Sequence, residues 1–387
     1  MSKNIRFFLR FVIVNLAIIS NCIAEDFKTK SLYSLSIDYP LTANTGSDIS
    51  LSGIQLLQDL EGKLEINSFA KALIGIYPAF FLTLMNHELS GHGIRCIENN
   101  VSIDQIKLGF FYGHVSHGKT HNIIEDMVIS LGGNEANYLL SEKIKNRYFE
   151  NNMKITQAFG ASYIFSAGNQ FAYTTLFDSK MDGHDIESYI KNANEYYQDK
   201  KFLTAELVTK LGFVDLLDPF LALSLYSAIT GLEVDIPTIK IGQVGYLPSL
   251  RTVLAPYGTE IRLINHIYYD DKYYQVSFNY GSNKSKTSYM AELKSEKIYE
   301  NEKYFIGTNL AIWQQPDLPI ELKESDKMPD GNKAESKIGG KFLLIGGLKI
   351  SDNLVLKAEA GYKTKGYLAG DVVREGFLMR AGIEMSF

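Results

Sequence analysis

The sequence predicts an α+β chain, with a mainly helical region followed by an antiparallel transmembrane β-barrel of about eight strands. Apolar residues recur at helical spacing up to about residue 235, and from about Ile241 the period switches to two. The alternating segments are about ten residues long, the length that tilted strands need to cross a bilayer. The chain also opens on a segment built like an export signal. The expected organisation is residues 1–24 as a signal peptide, 25–235 as a mainly helical domain and 236–387 as the barrel.

Lys3, Arg6 and Arg10 form a basic start, Phe11 to Ile19 an apolar core, and Cys22-Ile23-Ala24 a small-residue cleavage site. The apolar core is too short to span a bilayer as a helix. The formal charge of the whole chain is −5, and removing the +3 carried by Lys3, Arg6 and Arg10 leaves −8. A mildly acidic exported protein has no electrostatic reason to bind nucleic acid. Of the 2 cysteines only Cys96 would remain, so no intramolecular disulfide is expected. Cys96 reads as a small buried hydrophobe rather than a metal ligand.

Leu32 to Tyr39 reads as an edge strand and Ser50 to Leu64 as a helix. A longer helix starts at the capping pair Asn67-Ser68, is expected to kink or restart at Pro78, and runs on into Asn86-His87-Glu88-Leu89-Ser90-Gly91-His92-Gly93. Val101 to Tyr112 is extended, and a polar loop follows with His114 and His117. Helices are expected from about Asn122 to Arg147, Ile155 to Leu176, Asp185 to Tyr197, Lys201 to Leu211 and Phe213 to Ile229. The most apolar of these carry Lys71 and Pro78, or Asp215, Asp218 and Pro219, and so read as buried core helices rather than spans. Eight strands follow at roughly 241–254, 259–268, 272–281, 287–298, 303–313, 340–350, 354–364 and 374–387. In them one parity is apolar and aromatic (Ile306, Leu310, Ile312) and the other small, polar or charged, as in a barrel with lipid outside and a polar lumen.

Chemistry is concentrated at His87 and His92. Two imidazoles can hold Zn²⁺, and a neighbouring carboxylate, Glu88, can take a proton from metal-activated water. The histidines are five apart. On a regular α-helix their rings would diverge by roughly 140°, so both reach one ion only if the helix widens into a π-turn, which Gly91 tolerates. A third ligand is needed. Glu135 is the first choice, because Gly132-Gly133 lets its helix come close to the first; His184, Asp185 and Asp218 are the alternatives. His114, His117 and His121 form a second set that reads as a solvated loop. Tyr112 and Tyr138 are candidate oxyanion donors.

The hexapeptide H-E-x-x-G-H, followed here by Gly93, resembles the zinc motif of the dipeptidyl-peptidase III family over about eight residues. The resemblance implies a zincin-like helical domain with His87, His92 and a later-helix Glu as metal ligands and Glu88 as general base. A looser likeness to site-2-type intramembrane proteases runs through Gly133 to Asn137 and Leu217-Asp218. The terminal strand ending in Phe387 resembles the C-terminal signal that the barrel-assembly machinery reads in bacterial outer-membrane proteins. Together these imply Sec-type export to the outer membrane of a Gram-negative bacterium and contact with its lipid bilayer. The expected activity is zinc-dependent hydrolysis of a peptide or protein substrate. The alternative is a non-catalytic barrel protein with a structural or transport role.

Overall fold

The computed structural model describes residues 31–151, 153–175, 184–283, 286–322 and 331–386. The expected signal peptide and Phe387 lie outside the described residues. The first strand, β1 (Leu32–Tyr39), leads into α1 (Ala43–Lys63), capped by the Thr42 hydroxyl. Helix α2 (Ser68–Met85) is capped by Asn67, whose Oδ1 accepts from the Ala70 amide at 2.9 Å. It runs through Pro78 without a break, then widens into a π-helical segment (Asn86–Gly93) and returns to α-helix in α3 (Ile94–Glu98).

A small hairpin follows, β2 (Ile103–Leu108) and β3 (Gly113–His117). Then comes the long central helix α4 (Ile123–Asn151), buried along most of its length. Shorter helices α5 (Gln157–Ala167), α6 (Asn169–Thr175), α7 (Asp185–Tyr196), α8 (Ala205–Asp215) and α9 (Pro219–Thr230) complete the helical part. Nine strands close the chain: β4 (Ile239–Ile241), β5 (Val244–Ala255), β6 (Gly258–Tyr269), β7 (Lys272–Asn283), β8 (Lys286–Glu300), β9 (Tyr304–Pro316), β10 (Ser336–Ser351), β11 (Leu354–Lys363) and β12 (Gly376–Ser386).

The alternation places β5 to β12 where the sequence predicts strands, but the expected closed barrel is not formed. Among the described residues the sheet is a ten-stranded antiparallel one in the order β1-β12-β11-β10-β9-β8-β7-β6-β5-β4, with β1 and β4 as free edges. The N-terminal β1 joins it beside β12, Leu32 opposite Ser386 and Tyr39 opposite Met379. Closure would need the outermost strands to pair with each other, and β4 offers only 3 residues.

The faces of this sheet are inverted relative to a water-soluble one. Its polar parity lies against the helices. Arg251 Nε meets Asp215 at 3.3 Å, Lys145 Nζ meets Asp218 and Ser249 at 2.9 Å each, and the Tyr273 hydroxyl donates to Asn146 at 2.8 Å. A polar cavity of about 190 Å³ lies in this layer, lined by charged residues such as Arg147, Glu150, Glu292 and Lys357. The apolar parity is on the outside: Phe278, Ile312, Phe342, Phe377 and Met379 are all at least half exposed. The two larger apolar clusters are built mainly from the helices. One packs α4, α7 and α8 against Leu254, Tyr257 and Tyr367; another packs α1, α4, α5 and α9 around Tyr148, Phe159 and Phe220.

Helix α2 also departs from the expected buried core helix. The run Phe69–Glu98 is long and apolar enough to cross a bilayer, and its first half exposes Phe69, Leu73, Ile74 and Ile76. From Asn86 to Cys96 the same run is buried except at the half-buried Leu89.

Candidate metal centre

The π-helical segment is held from both sides. Asn86, its first residue, donates to the Ala136 carbonyl of α4 at 2.8 Å and sits within hydrogen-bond reach of Ser47 and Ser50 on α1. Gly91 lies directly on α4: a Cβ there would be 2.5 Å from the Gly132 oxygen and the Gly133 Cα. The i→i+5 hydrogen bonding of a π-turn brings residues five apart onto one face. His87 and His92 do face one point, with Nε2 atoms 3.3 Å apart.

The third group at that point is Asp185, the first residue of α7. Its Oδ2 lies 3.1 Å from His87 Nε2 and 3.2 Å from His92 Nε2. Among the described residues these three are the set whose donor atoms converge tightly enough for one ion. The two residues at the start of α7 do different things. His184 is the N-cap, its Nδ1 accepting from the Ile186 amide at 3.2 Å, and Asp185 turns into the site.

Glu135 does not join the histidines. It is bound by Arg95, whose Nε donates to Oε2 at 2.8 Å, and by the Gly370 amide, which donates to Oε1 at 2.5 Å. The expectation failed on helical geometry. Residues two apart on a helix point to different sides, so a Gly133 that touches His87 sends Glu135 away from it. Asp218 is also elsewhere, capping α9 through the Phe220 amide at 3.1 Å and paired with Lys145. His117 and His121 bond to the Gly118 carbonyl and to Glu125, and His114 lies outside the convergent set. Cys96 is fully buried beside Val101 and Ile129. Tyr138 faces Arg251 and Arg262 in the polar layer, and Tyr112 is exposed on the β2–β3 turn, so neither expected oxyanion donor is at the centre.

Other residues that the sequence reading passed over support the rings. The His92 Nδ1–H donates to the Ile129 carbonyl at 2.7 Å, which fixes the tautomer with a free Nε2 lone pair. Asn137 lies 3.2 Å from His87 Nδ1. Its Nδ2 faces that nitrogen, and its Oδ1 accepts from Asn86 Nδ2 at 3.4 Å. Asn137 is one helical turn beyond Gly133, and both meet the His87 ring; that i,i+4 spacing was the available signal. The Tyr173 ring of α6 packs 5.3 Å from His87 and 4.8 Å from His184. Burial, and then the charges of Asp185 and Glu88, push its phenol up.

Glu88 is buried, and β3 begins on top of it: a Cβ on Gly113 would sit 2.4 Å from Glu88 Cγ. Burial alone would raise the Asp185 carboxyl. When the rings are protonated at Nε2, the charge of His92 and hydrogen bonds from both rings more than reverse this and hold it well below the usual carboxylate range.

The donor set fits a small divalent ion. Tetrahedral zinc with bonds of 2.0 to 2.2 Å needs ligand atoms roughly 3.3 to 3.6 Å apart. The three separations here, 3.1, 3.2 and 3.3 Å, are close to that. Two nitrogens and one carboxylate oxygen also match zinc's ligand preference and leave one position for solvent or substrate. No protein family, curated protein or solved structure matches the chain.

Proposed function

We propose that this is a zinc-dependent metallopeptidase of a Gram-negative outer membrane that hydrolyses peptide bonds, with His87, His92 and Asp185 holding the ion. The observation that carries the reading is the convergence of their three donor atoms beside a buried Glu88. Zinc bound there would act as a Lewis acid toward water and the scissile carbonyl. Glu88 accepts the proton of the attacking water and returns it to the leaving amine. The Ile129 carbonyl keeps the His92 ring in the tautomer that presents Nε2, and Asn137 anchors the His87 ring at Nδ1. The membrane location is supported by the sheet, whose exposed parity is apolar and whose polar parity is covered by helices.

Zinc content and hydrolysis test the reading on full-length protein in detergent or nanodiscs. Wild type is expected to carry one zinc per chain, and His87→Ala, His92→Ala and Asp185→Asn each to fall below about a tenth of that. Glu88→Gln is expected to keep the zinc and lose on the order of 10²–10⁴ in kcat. A folded wild-type protein without zinc would end the hydrolytic reading and leave the structural or transport role. Hydrolysis that survives Glu88→Gln would end this mechanism alone.

A further inference from the structure

An apolar surface beside the centre has no part in the hydrolytic steps. The β2–β3 hairpin turns through Gly109–Tyr112, where the Gly109 amide donates to the Tyr112 carbonyl at 2.8 Å. Phe110, Phe111 and Tyr112 stand 60%, 73% and 63% exposed. Three neighbouring large rings turned outward need a partner, because isolated exposed hydrophobes are common and contiguous ones are not. Their placement is fixed. Phe110 stacks on Tyr77 of α2 with ring centroids 4.0 Å apart, and Phe111 lies 4.7 Å from Phe110 and 6.4 Å from Phe80. The Tyr112 ring lies over Gly109, where a Cβ would be 2.5 Å from it.

This ledge has two ends. One end joins the exposed apolar face of α2 formed by Phe69, Leu73, Ile74 and Ile76. The other end reaches the site, because Gly113 follows Tyr112 directly and its backbone lies on the Glu88 side chain. Acyl chains alone are a poor explanation for the hairpin, since β2 exposes Asp104, Gln105 and Lys107 only a few residues away. A chain that is apolar where it meets the rings and polar in its backbone satisfies both features.

We infer that the Phe110–Tyr112 ledge is the docking surface for an apolar segment of a polypeptide substrate, placing the adjoining peptide bond beside Glu88. The inference rests on the hydrolytic reading of the centre. Apolar side chains of the segment cover the three rings, and its flanking backbone passes over Gly113 toward His87, His92 and Asp185.

The test uses binding, so that it does not depend on turnover. Full-length Glu88→Gln protein in nanodiscs carries the photocrosslinker p-benzoylphenylalanine in place of Phe111. The probe is a fluorescent leucine–alanine peptide of about 20 residues with lysine ends; a serine–glycine–glutamate peptide of equal length is the control. Light is expected to crosslink the apolar peptide, excess unlabelled peptide to abolish the product, and the control to give none. In a second variant F110S, F111S and Y112S together are expected to weaken apolar-peptide binding at least tenfold while zinc content stays at the parent level. Adducts to lipid alone, equal crosslinking of the control, or unchanged binding in the triple variant would overturn the inference. No crosslink of the apolar peptide to a Glu88→Gln protein that holds zinc, beside a wild type that hydrolyses, removes this inference only. Crosslinking in a protein that holds no zinc removes the hydrolytic reading and shows a peptide-binding ledge without it.

Discussion

Gly133 occupies the tightest point of the centre. A Cβ there would lie 2.2 Å from His87 Nε2 and 2.4 Å from Cε1, so any side chain forces the ring or the helix to move. Gly133→Ala is therefore expected to lower zinc affinity by about 10–100-fold, the range seen when groups that orient a ligand are lost. Competition with a chelator measures it, and unchanged affinity would mean the ring is less constrained than its contacts imply. At this scale the sequence was informative where one residue's chemistry decides the outcome. The convergence of His87 and His92 was legible because two imidazoles on one stretch of a buried helix have few other uses. Gly91 and Gly132-Gly133 were legible as a close approach, although the group they admit is an imidazole rather than the Glu135 carboxylate. Tyr173 was not legible, since nothing local separates it from the chain's other 23 tyrosines.

At the scale of elements, the histidine-bearing helix is fastened by charge rather than by apolar packing alone. Arg95, just beyond the π-segment, is paired with Glu135 and Glu98, and all three are almost fully buried. Glu135 and Glu98 then accept the Gly370 and Val373 amides of the β11–β12 loop, at 2.5 and 2.7 Å. Removing one partner of a buried pair leaves the other uncompensated. Glu135→Ala is expected to cost about 3–5 kcal/mol of stability, measured by denaturant unfolding. The fraction that remains folded should keep full zinc stoichiometry. Loss of zinc from folded Glu135→Ala protein would return that residue to the ligand set. The π-turn could be anticipated from the five-residue spacing, which an α-turn cannot serve. The third converging group could be named only as one alternative among several, because Asp185 reaches the histidines across several helices, and spacing carries no information over such a distance.

For the whole molecule, strand positions were readable and sheet closure was not. Alternation is a property of each segment, visible in Tyr274, Val276, Phe278 and Tyr280 taken alone. Whether a sheet closes depends on register and twist accumulated over all strands and on what the outermost edges meet. Here one edge is β1, drawn from before the helices, and the other is the short β4. The inverted faces lead to a prediction at this scale. Ile312 is 60% exposed on the apolar parity of β9, and Ile312→Lys is expected to destabilise the protein in lipid vesicles by roughly 2–4 kcal/mol if the site lies near mid-bilayer. Urea unfolding in vesicles measures the change, and a neutral result would count against lipid on that face.

The pairing of β1 with β12 also sets an order in time. During synthesis β1 emerges first among the described elements, and α1 packs on it through Ser34 to Ser52 and Asp38 to Thr45 contacts. Its strand partner does not exist until the chain reaches Gly376–Ser386. The Gly370 and Val373 amides that hold the histidine-bearing helix arrive only just before. Both fastenings are thus completed by residues 364–386, so the support of the histidine-bearing helix is the last part of the fold that the chain can complete.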